Sequence, residues 1–165
     1  MKNKGFTIIE SLVAIAILIV VITGTLSAIQ TSLSSYIFSK DQVIAFYLAQ
    51  EGFEQIRNIR DENGLQSLPW LTGLGPCLGG NACRVDAVAD TLTGCGAPGS
   101  CPVLRQDATS GFFGYTPAWS ATIFRREIML TQINADDISV VVTVDWSKGI
   151  VNRQFRAREN LLNWQ

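Results

Sequence analysis

No charged residue occurs between Glu10 and Lys40. That interval is rich in Leu, Ile, Val and Ala and exceeds the roughly 20 apolar residues a helix needs to cross a bilayer. Such a segment can only lie in lipid or in a protein core. One carboxylate, Glu10, stands at its front edge. A charge at the centre of a membrane helix costs roughly 2.5–3.5 kcal/mol on insertion scales, and less toward the interface, so Glu10 is expected to have a partner. A short basic leader, Met1-Lys2-Asn3-Lys4-Gly5, precedes the segment. A secretory signal would have an apolar core of about 7–15 residues followed by a small-residue exit. Here the apolar stretch is longer, and no such exit is followed by a change of composition. If the leader is removed ahead of the apolar stretch, the helix stays behind as an anchor. The alternative from residues alone is an ordinary single-pass anchor with Glu10 near the interface.

The run Lys4-Gly5-Phe6-Thr7-Ile8-Ile9-Glu10-Ser11-Leu12 resembles the processing site of type IV pilins and of type II secretion pseudopilins. The resemblance implies that a prepilin peptidase cuts between Gly5 and Phe6 and that Phe6 is then N-methylated. It further implies that Glu10 pairs with the amino terminus of a neighbouring subunit, so that other pilin subunits are partners through the N-terminal helix. The likeness covers the leader and first helix closely and the remainder only in layout. The stretch Ala45 to Asp61, with Leu48-Ala49-Gln50-Glu51-Gly52 and Ile56-Arg57-Asn58-Ile59-Arg60-Asp61, resembles the matching region of minor pilins of the kind called type V. Many major pilins carry a proline near the membrane exit of this helix; this chain has Gly24 among Thr23, Thr25 and Ser27. Gly24 is either a hinge or a small residue for close helix packing.

Composition narrows the function. Net charge is −1 at neutral pH and becomes −3 once Lys2 and Lys4 leave with the leader. That is not the balance of a general nucleic-acid binder, which shows a basic domain or stripe. Two lysines ahead of the helix put the N-terminus in the cytoplasm and the body outside the inner membrane, by the positive-inside rule. Histidine is absent, which removes Ser-His-Asp and Cys-His pairs and the HExxH metal site. The carboxylates are scattered over helix faces and turns, so no catalytic residue, metal or cofactor is assigned and an enzyme is not expected.

Beyond the apolar segment, Ala45, Leu48, Ala49, Gly52, Phe53, Ile56 and Ile59 recur at intervals of three and four, one stripe of an amphipathic helix. Gln50, Glu51, Glu54, Gln55, Arg57 and Asn58 fill the other side. The pattern predicts one helix of about 50 residues, spanning roughly 75 Å at 1.5 Å per residue, with its second half packed on the C-terminal domain. From Asn63 to Pro117 periodicity dissolves into Gly, Pro, Ser and Asn, with short strands expected at Ala82–Asp86, at Pro102–Arg105 and from Gly114-Tyr115. From Ser120 the pattern turns β: Ala121–Leu130, Ile138–Trp146 and Ile150–Arg158, with turns at Asn134–Asp137 and Ser147–Gly149. Val140, Val142, Val144 and Trp146 form the core face, and Leu161-Leu162-Asn163-Trp164 closes the edge or packs beneath it. The expected fold is therefore α+β and pilin-like, a long N-terminal helix on an antiparallel meander. The expected divisions are a leader (1–5), a membrane half (6–30), an amphipathic half (31–61), a disulfide-containing loop region (62–118) and a sheet (119–165).

Cys77, Cys83, Cys95 and Cys101 all fall in the loop region as two C-x5-C pairs. An even set of thiols in an oxidising compartment reads as disulfides. Three connectivities are open, and the local one, Cys77 with Cys83 and Cys95 with Cys101, is favoured because each pair brackets a small-residue turn. A zinc site using all four thiolates is the rival, although zinc motifs favour tighter spacing. Arg125 and Arg126 could gather with Arg153, Arg156 and Arg158 into a patch for weak DNA or surface contact, or form a solvated sheet face balanced by Glu127, Asp145 and Glu159. Trp70, Phe112, Phe113, Tyr115 and Trp119 are expected as core or loop anchors. The reading is a structural subunit of a type IV pilus, of minor type. A pseudopilin of a type II secretion system and a membrane-anchored binding module that forms no filament are the alternatives.

Overall fold

The computed structural model describes residues 7–163; Gly5 and Phe6 of the expected processing site, and Trp164, lie outside them. The chain divides into two compact units, Met1–Asp41 and Gln42–Gln165. One helix, α1 (Ile8–Leu65), begins in the first and is the opening element of the second. It continues through Gly24, where an added Cβ would meet nothing within 4 Å.

The second unit is the expected α+β arrangement. Eight strands follow α1: β1 (Ala82–Asp86), β2 (Thr91–Gly96), β3 (Arg105–Gln106), β4 (Phe113–Gly114), β5 (Ser120–Ala121), β6 (Phe124–Asn134), β7 (Asp137–Lys148) and β8 (Val151–Leu162). The main sheet is antiparallel in the order β2-β1-β6-β7-β8, and a small sheet runs β4-β3-β5. The meander β6-β7-β8 forms because two short turns join runs whose apolar residues fall mainly on one face. Along β7, Ile138, Val140, Val142, Val144 and Trp146 are buried, while Val141, Thr143 and Asp145 between them are half-buried. Against the inward face lies the helix stripe, with Ala45, Leu48, Ala49, Phe53 and Ile56 buried and Ile59 packed on the same core. Gly52 permits the close approach: a Cβ there would sit 3.2 Å from Val142 Cγ1 and 3.3 Å from Ile128 Cδ1.

Three differences from the sequence reading have local causes. The helix runs on to Leu65, beyond the expected end at residue 61, and stops where Asn63 turns its side chain to the following loop, donating from Nδ2 to Trp70 O (3.1 Å) and Thr72 O (2.8 Å). The loop region contributes β2 as well as β1 to the main sheet, despite the poor strand-forming run Gly94-Cys95-Gly96, because pairing with β1 supplies what propensity does not. The strand expected from Ala121 begins instead at Phe124, because Ala121 pairs with Arg105 in the small sheet, and the long strands run further than expected, β6 to Asn134 and β8 to Leu162.

Candidate assembly site

In the first unit the chemistry lies in one carboxylate on an apolar helix. Glu10 is in the first turn of α1, where an acidic group also favours the positive end of the helix dipole. Its backbone N–H donates to Thr7 O at 3.1 Å. Around and after it Ile8, Ile9, Leu12, Val13 and the residues to Leu33 are exposed on every side. A helix apolar all round is a membrane span or the core of a larger assembly, and this one is long and apolar enough to cross a membrane. Its threonine hydroxyls turn back onto the helix: Thr23 Oγ1 donates to Ile19 O (2.8 Å), Thr25 Oγ1 to Ile22 O (2.9 Å) and Thr31 Oγ1 to Ser27 O (3.1 Å). Bonded back onto their own helix, these groups can enter an apolar medium at little cost. Glu10 is the charged group of this stretch, and in such a medium its charge calls for a partner.

The second unit places the cysteines in two bridges. Cys77 pairs with Cys83 (Cα–Cα 4.9 Å) and Cys95 with Cys101 (Cα–Cα 5.0 Å). No thiolate remains for zinc. Cys83 stands in register with Ile128, on the helix-covered face. Cys95 is the extra residue of a bulge, lying between Gly94 and Gly96, which pair with consecutive residues Cys83 and Ala82. Its loop is held over the opposite face by Glu127, whose carboxylate accepts from Gly99 N (2.7 Å) and Cys101 N (2.9 Å).

The arginines do not gather as one patch, because β7 separates β6 from β8. Arg126 is fully buried instead. It donates from Nη1 to Leu48 O (2.9 Å) and Glu51 Oε2 (3.0 Å), and from Nη2 to Val85 O (2.8 Å), tying helix, β6 and β1 together. Arg57, assigned by pattern to the solvent side of the helix, grips Glu159 of β8 through Nε (3.1 Å) and Nη2 (2.5 Å). The hydrogen bond that Arg57 donates to Glu159 raises the Arg57 pKa above its usual value, against a smaller opposing effect of burial. Asp86 accepts from Val88 N and Ala89 N (both 3.1 Å) and from Tyr115 N (2.9 Å), fastening the small sheet to β1. Of the aromatics, Trp70, Phe113 and Tyr115 pack on the core, whereas Phe112 is exposed. Among the described residues no group of three or more His, Cys, Asp or Glu is placed to hold a metal.

Compared with known families, residues 1–26 match the prokaryotic N-terminal methylation motif. No curated protein and no solved structure is significantly similar to the chain.

Proposed function

We propose that this chain, whose first 26 residues carry the prokaryotic N-terminal methylation motif and support a type IV pilin-like prepilin family, is a minor pilin of a type IV pilus. The motif implies processing by prepilin peptidase and assembly with other pilins in general. In this reading cleavage falls between Gly5 and Phe6, Phe6 is methylated, and the body remains outside the inner membrane until a motor draws the subunit into a filament. The observation that carries the proposal is a single carboxylate, Glu10, on the first turn of a helix exposed and apolar on every side. In a bundle of such helices Glu10 neutralises the α-amine of a neighbour's Phe6, and either charge left alone in that core costs several kcal/mol.

The test is Glu10→Ala expressed beside the native chain. Intact mass is expected to begin at Phe6 with one added methyl group in both proteins, gaining four hydrogens on reduction of the two disulfides. The variant is expected to be processed normally yet depleted at least tenfold from sheared surface filaments. Equal incorporation of the variant removes the role of Glu10. A full-length mass starting at Met1, in cells with active peptidase, leaves an anchored module, and a processed chain confined to the periplasm leaves a secretion pseudopilin.

A further inference from the structure

Strand β8 ends the sheet order, so one side of its backbone has no neighbouring strand among the described residues. Free edges are commonly blunted by short length, proline, a bulge or charged side chains. β8 is 12 residues long, contains no proline, and pairs with β7 in unbroken register from Val151 to Leu162. Its guards are charges: Glu159 is gripped by Arg57, and Arg60 donates to Leu162 O (3.2 Å) at its far end, leaving the middle of the edge open. Its two faces differ in chemistry. Phe155 and Ala157 stand opposite Val144 and Val142, on the helix-covered face. Above them Phe46 packs edge-on against Phe155 at 5.8 Å between ring centres while remaining 46% exposed. An apolar shoulder of the helix therefore overhangs one face of the open edge. On the other face Arg156 and Arg158 stand two residues apart and exposed, the latter steadied by a 2.6 Å bond from Nε to Ser139 Oγ.

We propose that the free edge of β8 is a docking site for an extended segment of another polypeptide in which apolar and acidic residues alternate. Added beside β8, such a segment satisfies the open backbone groups by strand addition. Its period of two places acidic side chains beside Arg156 and Arg158 on one face, and apolar ones beside Phe155, Ala157 and Phe46 on the other. The same arginines disfavour a second copy as occupant: antiparallel β8–β8 pairing centred on Ala157 sets Arg156 of each copy against Arg158 of the other, and like charges directly opposite are destabilising. The inference rests on the second unit alone and holds or fails independently of the filament reading.

The experiment uses the full chain in detergent micelles and a fluorescent peptide of about ten residues, a strand's length, alternating valine and aspartate. A valine–lysine peptide serves as its counterpart. The aspartate peptide is expected to bind saturably, slow amide hydrogen exchange along β8, and outcompete the lysine peptide. In Arg156→Glu/Arg158→Glu, both exposed positions, its binding should fall roughly tenfold or more as two attractions become repulsions, while the lysine peptide gains. Gain by the lysine peptide shows that the variant is folded and the edge competent. Absence of binding to either peptide, indifference to the charge reversal, or protection away from β8 overturns the proposal. Self-association that protects β8 and excludes the peptide overturns it in favour of a second copy.

Discussion

Arg126 illustrates how much one buried side chain can organise. Its three hydrogen bonds reach the helix and β1 from a fully buried position on β6. Truncation removes its bonds to Leu48 O and Val85 O and leaves a cavity between helix and sheet, while half-exposed Glu51 can turn to water. Arg126→Ala is therefore expected to lower stability by about 3 kcal/mol, near the lower end for breaking a buried pair, and Arg126→Met by less because it refills the volume. Urea unfolding of both variants checks this, and equal losses would show that the charge and not the packing matters. The position was legible in principle: period-two alternation groups it with Phe124, Ile128 and Leu130 on the inward face. Its charge argued for solvent, and in a run such as Arg125-Arg126-Glu127 the periodicity was the better guide. Tyr115 carries a second residue-scale expectation. Burial raises its phenol above the usual value of 10.0, with the positive charges of Arg126 and Arg84 opposing. Because the folded pKa lies above the unfolded one, its contribution is fully present below about pH 10 and is lost as pH rises through the folded value. A difference titration of tyrosinate absorbance against Tyr115→Phe should place this ionisation above the ordinary range and coincident with alkaline unfolding. Ionisation within the ordinary range would contradict it.

At the level of elements, the helix–sheet contact depends on Gly52. Glycine costs about 1 kcal/mol relative to alanine in a helix interior, so its presence needs a compensating contact. That contact is with Val142, Ile128 and Arg126, each 3.2–3.4 Å from where a Cβ would stand. Gly52→Ala sets a propensity gain against a few tenths of an ångström of crowding and is expected to change stability by less than about 1 kcal/mol. Gly52→Leu forces helix and sheet apart and is expected to cost about 2–3 kcal/mol. Thermal unfolding of the pair distinguishes close packing from mere tolerance, since a tolerated glycine would let both substitutions stabilise. The helix stripe and the three long strands were readable because each buries one face, and burial imposes period 3.6 or 2 on the apolar residues. β2 was not readable, because Gly94 and Gly96 beside a bulged Cys95 leave no alternation to see. The grip of Arg57 on Glu159 was hidden for a related reason: long polar side chains at the margin of a helix reach past the pattern that assigns them to solvent.

For the molecule as a whole, sequence and structure agree on division of labour. The first unit carries the methylation motif and an apolar helix uncharged from Ser11 to Ser39 behind Glu10; the second carries the sheet, the disulfides and the varied surface. The methylation motif and the lone carboxylate behind it were legible before any fold was known because a single charge ahead of an uncharged run is a local signal. The free edge of β8 was not, because an edge is defined by strand order, which two-residue turns alone do not reveal. The meander has a consequence for the time course of folding. β6, β7 and β8 follow one another through tight turns at Ala135-Asp136 and Gly149-Ile150, so closing them costs little loop entropy, whereas β1 must find β6 across some forty residues and the helix across still more. The nucleus is thus expected in the last third of the chain. Pulse-labelled hydrogen exchange during refolding should protect amides of β7 before those of Leu48–Ile56; the reverse order would move the nucleus to the helix. A chain that emerges N-terminus first then releases its apolar helix well before the part able to nucleate its fold, so the stripe from Ala45 to Ile59 waits unfolded or unpartnered until translation is nearly complete.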